Sequence, residues 1–278
     1  MNRNRLMRSV GAVLLMLLIT ALFVYPFWWM LVNALNTAAE VIDKPTLLPR
    51  SWQWGNYVEI FRMQPFARHL LNSVLVALIG TVGNIIIAAL SGYAFARLRF
   101  PLRGPLFVLL LTALMMPIEV VIVPLYFQML RWHLSDSLIP LMLIPIFGAQ
   151  GAFSAFLFRQ FFVTMPMELE EAAKLDGLGH FGIFWKIMLP IAKPVISSAA
   201  ILAFLAAWNA YLEPLVFTSS IQHFTLPISL NNFNDSYGQP QWNLQMAATA
   251  VSVLPIMAVY LVFQEKVTDA MVNSGLKG

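Results

Sequence analysis

Long apolar runs alternate with short polar segments along this chain. Runs near 10–35, 73–96, 105–130, 138–158, 195–217 and 246–263 carry almost no charge. Each approaches or exceeds the roughly 20 apolar residues that a helix needs to cross a bilayer. None shows the period-2 alternation of a membrane barrel strand. In hydrocarbon the backbone must bond within its own segment, so the runs predict helices. The expected fold is an all-α polytopic membrane protein with six transmembrane helices. Residues 1–278 are read as a single membrane domain with no internal repeat.

Composition narrows the class further. Hydrophobic residues make up 59% of the 278 positions and charged residues only 11%. Soluble domains carry roughly a quarter charged residues, so a water-soluble globule is excluded, and the same numbers exclude disorder. The basic residues are scattered, which argues against nucleic acid as a partner. Cysteine is absent, which removes disulfides, thiolate metal sites and cysteine nucleophiles. Arg3, Arg5 and Arg8 before the first run also fit a signal peptide. That run is too long for one, however, and Tyr25, Pro26, Trp28 and Trp29 stand where small residues should precede cleavage. It reads as a retained anchor.

Basic residues also set the orientation. With the N-terminus in the cytoplasm, twelve of the 17 Lys and Arg fall on inner segments, including the short loop Arg97, Arg99, Arg103. Both termini are then cytoplasmic. The long segment 159–194 is also inner, and the aromatic-rich 36–72 and polar 218–245 are outer.

The inner segment 159–194 carries the densest pattern. Glu168, Glu170 and Glu171 suit the positive start of a short helix, with Thr164 as its cap and Pro166 in its opening turn. Gly177 and Gly179 end that helix. A second helix is predicted over about 180–189, ending at Pro190. The pair is amphipathic and suited to lie along a membrane face against a partner.

Glu171, Ala172 and Ala173, then three residues and Gly177, then nine residues and Ile187, Leu189 and Pro190, resemble the EAA loop of ABC importer permeases without departure in spacing. The likeness reaches nearly the whole chain: Asn72-Ser73, Tyr93 to Arg97, Met116-Pro117, Ala207-Trp208-Asn209 and the Gly275–Gly278 end are similar to the carbohydrate branch, of maltose-permease type. The resemblance implies that Glu170, Glu171, Ala172, Ala173, Asp176, Gly177, Ile187, Leu189 and Pro190 form a coupling helix and its support, docked on a cytoplasmic ATPase. It further implies a second permease subunit, two ATPase subunits that bind ATP and Mg, and an extracytoplasmic substrate-binding protein. The outer segment 218–245 resembles one that reaches into that binding protein, which makes Asn231, Asn232, Asn234 and Asp235 contact candidates. The tail from Glu265 resembles one that touches the ATPase.

The chain has no G-x-x-x-x-G-K-[ST] loop to cradle nucleotide phosphates, and its four histidines lack metal-ligand spacing. No cofactor, metal or catalytic residue is expected on it. A charge in hydrocarbon costs about 2.5 kcal/mol or more and marks an interior face. Glu119 and Glu213 are such charges. Read along straight helices, Glu119 lies past the midplane and Glu213 near the outer surface, with Asn209 one turn below on the same face. Trp208, Asn209, Tyr211, Glu213 and Glu119 are therefore candidates to line a sugar cavity, with Pro117, Pro124 and Pro214 opening the helices beside them. The bland alternative is headgroup contact for the acids and an interhelical bond for Asn209. Another solute on the same fold, such as a polyol phosphate, amino acid or peptide, an ion-coupled transporter with proton-relaying acids, and a scaffold without transport are the competing readings.

Overall fold

The computed structural model describes residues 3–43, 46–234 and 237–275. The chain folds into two compact units, one formed by 1–66 with 229–254 and the other by 67–228 with 255–278. Among the described residues, secondary structure is helical apart from an isolated bridge between Asn234 and Pro240. Among the described residues four helices are long and apolar enough to cross a membrane, or up to six if each of two bent pairs counts as one span.

In the first unit, α1 (Arg3–Ala34) is one rod whose apolar flanks stay exposed over most of its length. Its end leads into α2 (Ala38–Ile42), opened by a Thr37–Glu40 capping box. Helix α3 (Asn56–Met63) follows. Asn36 and Asn56 tie this connector together: the Asn36 carboxamide accepts from the Arg50 N–H, and Asn56 donates to the Ala34 and Asn36 carbonyls. Phe66 packs on Phe61 and Phe233.

The second unit is built on α4 (Phe66–Arg97), 32 residues without a break, or about 48 Å at 1.5 Å per residue. The helix opens earlier than the apolar run, so Asn72 and Ser73 lie inside it instead of starting it. Polar side chains near its first turns bind the 221–226 segment. His69 Nε2 lies 2.7 Å from the Ile221 carbonyl, Asn72 donates to the Gln222 and Phe224 carbonyls, and Ser73 accepts from the Leu226 N–H.

Two expected straight spans are broken. Helix α5 (Arg103–Thr112), extended by a tight turn to Met115, meets α6 (Ile118–Arg131) at 103°. Pro117 has no N–H, and its ring pushes Met116 into extended backbone at ψ 112°. Depth measured along one axis therefore does not locate Glu119. Pro124, by contrast, stays inside α6 without interrupting it. Helix α7 (Ile139–Phe147) and α8 (Ala149–Val163) join at Gly148 as one span. Buried Asn84 of α4 donates to the Pro145 carbonyl at this joint, 2.6 Å away.

Lipid tails are as apolar as leucine, so close packing carries much of the association between spans. At Gly92 of α4 an added Cβ would sit 2.5 Å from Phe158 Cβ and 2.8 Å from the Arg159 nitrogen. Hydrogen at that position lets α4 and α8 touch, with Ala88, Ala89 and Ala155 buried in the same cluster.

The inner loop follows as α9 (Glu168–Leu175), α10 (His180–Ile183), a wide turn over Phe184–Met188 and α11 (Leu189–Ile191). Helix α12 (Lys193–Trp208) leaves it at 79°. The expected stop at Pro190 is corrected, because Pro190 falls in the first turn of α11, where a missing N–H costs nothing. The chain bends at Ala192, just before Lys193 and Pro194.

The fifth span is also broken. Helix α12 ends at Trp208, and α13 (Leu212–Phe217) begins after three intervening residues. Pro214 cannot donate to the Ala210 carbonyl, and its ring would clash there. Asn209 and Glu213 therefore do not share one helix face. After α14 (Leu226–Leu230), α15 (Trp242–Gly275) is one helix through Pro255.

Candidate functional site

Helix α9 begins after Met165, Pro166 and Met167. Thr164 does not cap it, because its hydroxyl donates back to the Phe161 carbonyl at the end of α8. Three glutamates in the first turn suit the exposed N–H groups there. At the other end Gly177 has φ +81°. Its N–H reaches the Lys174 carbonyl, and the Leu178 N–H reaches the Ala173 carbonyl. This is a Schellman turn, which needs a left-handed residue at that position. Leu178 then packs on the core beneath. Gly179 opens the second helix instead of closing the first.

The two faces of α9 divide the predicted coupling residues. Glu170 and Ala173, three apart, face inward and are 2% exposed. Glu171, Ala172, Asp176 and Gly177 are exposed, as is Pro190. Leu175, next to them, is 91% exposed. Ile187 and Leu189 pack against the core cluster of Tyr93, Phe158, Phe162, Phe184 and Met188 and so hold the loop from within. Phe181 and Trp185 stand one turn apart on the second helix, both exposed, with ring centroids 6.0 Å apart.

One arginine ties the loop to α4, and a second ties α8 to α4 and α5. Arg97, the last residue of α4, sits 3.2 Å from the Glu170 carboxylate, and both side chains are nearly fully buried. Its guanidinium also donates to the Met165 carbonyl. Arg159 of α8 donates to the Phe95 carbonyl and lies 4.2 Å from the Phe107 ring centroid. The sequence marked Arg97 as an inner charge and as the end of the Tyr93–Arg97 motif, without a partner. Its partner stands 73 positions away, and no local pattern joins them.

The cavity candidates scatter. Trp208 is buried and stacked on Phe204 at 5.6 Å, so it packs the helix interior. Asn209 is exposed, and its amide returns to the Leu205 carbonyl, closing α12. Tyr211 is 43% exposed. Glu119 is exposed at the start of α6. Glu213 alone of the five lines a cavity of about 590 Å³, with Ala206, Ala207, Ile144 and Met129. Gln150 and Thr225 add polar atoms to its wall. Buried Thr225 Oγ1 and Gln150 Nε2 have no hydrogen-bond partner among the described residues. Neither stood out in the sequence, because each is a single uncharged residue, Gln150 inside the 138–158 run and Thr225 in the polar 218–245 segment.

At the far end of the same unit, Asp136 holds the 219–223 turn. Its carboxylate accepts the N–H groups of Ser219 and Ser220, each at 2.9 Å, and the Ser220 hydroxyl, with His223 Nδ1 at 3.3 Å. These donors, led by the Ser220 hydroxyl, hold its pKa well below the usual carboxylate range. In the first unit Asn231, Asn232 and Asn234 are exposed beside the Asn234–Pro240 bridge. Asp235, Lys44 and the Leu276–Gly278 end lie outside the described residues.

Comparison with known proteins adds an independent finding. Residues 84–272 match the family described as "Binding-protein-dependent transport system inner membrane component". The sn-glycerol-3-phosphate transport system permease protein UgpE of Yersinia pestis is 34% identical over 99% of both chains. The sulfoquinovosyl glycerol transport system permease protein SmoH of Agrobacterium fabrum is 34% identical over 94% of this chain and 91% of its own. The arabinooligosaccharides transport system permease protein AraQ of Bacillus subtilis is 29% identical over 97% and 96%. Among solved structures, a bacterial ABC transporter involved in import of the acidic polysaccharide alginate aligns with TM-score 0.81 at 21% identity, covering 95% of this chain and 98% of that one.

Proposed function

This chain belongs to the family of inner membrane components of binding-protein-dependent transport systems, and from that premise we propose that it is the permease subunit of an ATP-driven carbohydrate importer. A second permease subunit completes the pathway, two ATPase subunits bind ATP and Mg, and an extracytoplasmic binding protein delivers the solute. Both termini and the α9 loop face the cytoplasm. Asn231, Asn232, Asn234 and Asp235 face the binding protein.

The observation that carries this reading is the outward face of α9. A leucine left 91% exposed forgoes about 1.5–3 kcal/mol of burial, which a partner's cleft would supply. Glu171, Ala172, Asp176 and Gly177 surround it, and the left-handed turn at Gly177 leaves open space for a close backbone. ATP-driven closure of the ATPase pair displaces two such helices and shifts the permease between outward and inward access. The closed motor must bind one permease state better than the other for this to work.

Carbohydrate is favoured by the cavity wall, which among the described residues holds one carboxylate, an amide and a hydroxyl but no Lys or Arg. Hydroxyl-rich solutes need such neutral and acceptor groups, whereas a phosphate needs cations. The UgpE likeness favours a second reading, a polyol phosphate with its cations supplied by the partner permease.

The experiment is purification of the full chain with its partner subunits, reconstitution in vesicles, and ATP hydrolysis measured with binding protein plus oligosaccharides or sn-glycerol 3-phosphate. Stimulation by an oligosaccharide supports the first reading and stimulation by the phosphate the second. A chain that captures no ATPase subunit removes both.

A further inference from the structure

Glu170 and Arg97 form an ion pair whose side chains are 3% and 4% exposed, joining the inward face of α9 to the last residue of α4. A buried ion pair is a poor stabiliser, because desolvating two charges offsets their attraction, and an apolar pair of similar size would hold the joint as firmly. What the charges add is position. Arg97 Nε and Glu170 Oε1 meet at 3.2 Å without hydrogen-bond geometry, so charge and burial hold the pair while the terminal nitrogens of the guanidinium point to the connector, and losing either partner strands the other. Arg97 also reaches the Met165 carbonyl and the Met167 sulfur, so one side chain holds the connector into α9 as well as its first turn. One helical turn earlier, Tyr93 packs against Phe162 at 5.9 Å and Phe184 at 5.4 Å, seating the rest of the loop on the same end of α4.

The chain enters the loop from α8, whose Phe158 and Phe162 share its core cluster, and two further routes lead away from it. One passes through Ala192 into α12, across a 79° bend. The other passes through Glu170 and Arg97 into α4, which runs 32 residues without a break. A straight helix moves as a body, whereas a bend absorbs motion. We infer that Arg97 is a positioning residue that, through Glu170, makes α4 follow the displacement of α9. This rests on the reading of α9 as the helix that docks on the ATPase.

The chain has no cysteine, so spin labels can be placed at Lys174→Cys on α9 and Leu71→Cys near the other end of α4, both exposed. The distance between them is measured in the complete complex, nucleotide-free and trapped with ATP and vanadate. With Arg97 present, the two states give the same mean distance. In Arg97→Ala, trapping shifts and broadens the distance by several ångström. Arg97→Lys keeps the charge without the fork and recovers part of the constancy. The exchange Arg97→Glu with Glu170→Arg recovers more than either single change. Where Arg97→Ala yields no complex, Arg97→Lys and the exchange carry the same comparison. A distance that already shifts in the Arg97 protein, or stays constant in every variant, overturns the inference. Failure of the parent chain to co-purify with the ATPase removes the importer reading instead.

Discussion

Asp136 and Gly177 each hold a turn through a single feature. The Asp136 carboxylate is ionised well below the usual range because Ser219 and Ser220 donate to it. A group whose folded pKa is lowered contributes stability that is present above its unfolded pKa, about 3.9. That stability is lost as pH falls through the lower folded value. Hydrogen exchange at the Ser219 and Ser220 amides should therefore stay protected from neutral pH down past the ordinary carboxylate pKa, and Asp136→Ala should lose that protection at neutral pH. At Gly177 nothing lies within 4 Å of an added Cβ, so φ +81° decides the outcome of substitution. Gly177→Val should cost about 1–2 kcal/mol in the turn and reduce solute-stimulated ATP hydrolysis several-fold. Gly177→Asn, which tolerates the left-handed region, should retain most of it. Equal activity in the two variants would count against the turn as the cause.

The prolines and glycines inside the apolar runs decide whether a span is a rod or a broken pair. Pro117 and Pro214 break theirs, and Pro124 and Pro255 do not. All four prolines were visible in the sequence, but which of them breaks depends on what the freed carbonyls and flanking turns meet in the fold. Pro214→Ala should let helix grow across 209–211, and labels at exposed Leu202 and Leu215 would then move further apart. An unchanged distance would show that packing holds the break without the proline. At the α4–α8 contact Gly92→Ala places a methyl 2.5 Å from Phe158 Cβ. Overpacking of this kind costs about 1–3 kcal/mol, read as a lower melting temperature of the purified protein in detergent. Gly104→Ala, with open space around it, should leave that temperature unchanged.

For the chain as a whole, the docking face predicts that Leu175→Asp weakens capture of the ATPase subunits in a pull-down, while Phe147→Ser, a change at an exposed position on α7 away from the loop, does not. Equal capture by both variants would place the docking surface elsewhere. Six apolar runs, the basic short loop and the spacing from Glu171 to Pro190 were enough by themselves to determine an all-helical membrane protein of the importer permease kind. Run length and local spacing follow from hydrocarbon thickness and turn chemistry, which act within a few dozen consecutive residues. The tertiary structure alone decided that Glu170 turns inward to Arg97 while Glu171 turns out, that Asn209 and Glu213 part company at a break, and that Glu213 meets Gln150 and Thr225 around one cavity. The Arg97 pair and the cavity depend on groups tens of residues apart finding one another, and the break beside Pro214 depends on what packs around it; a pattern read along the chain carries no record of which distant group will complete a buried charge or an open carbonyl.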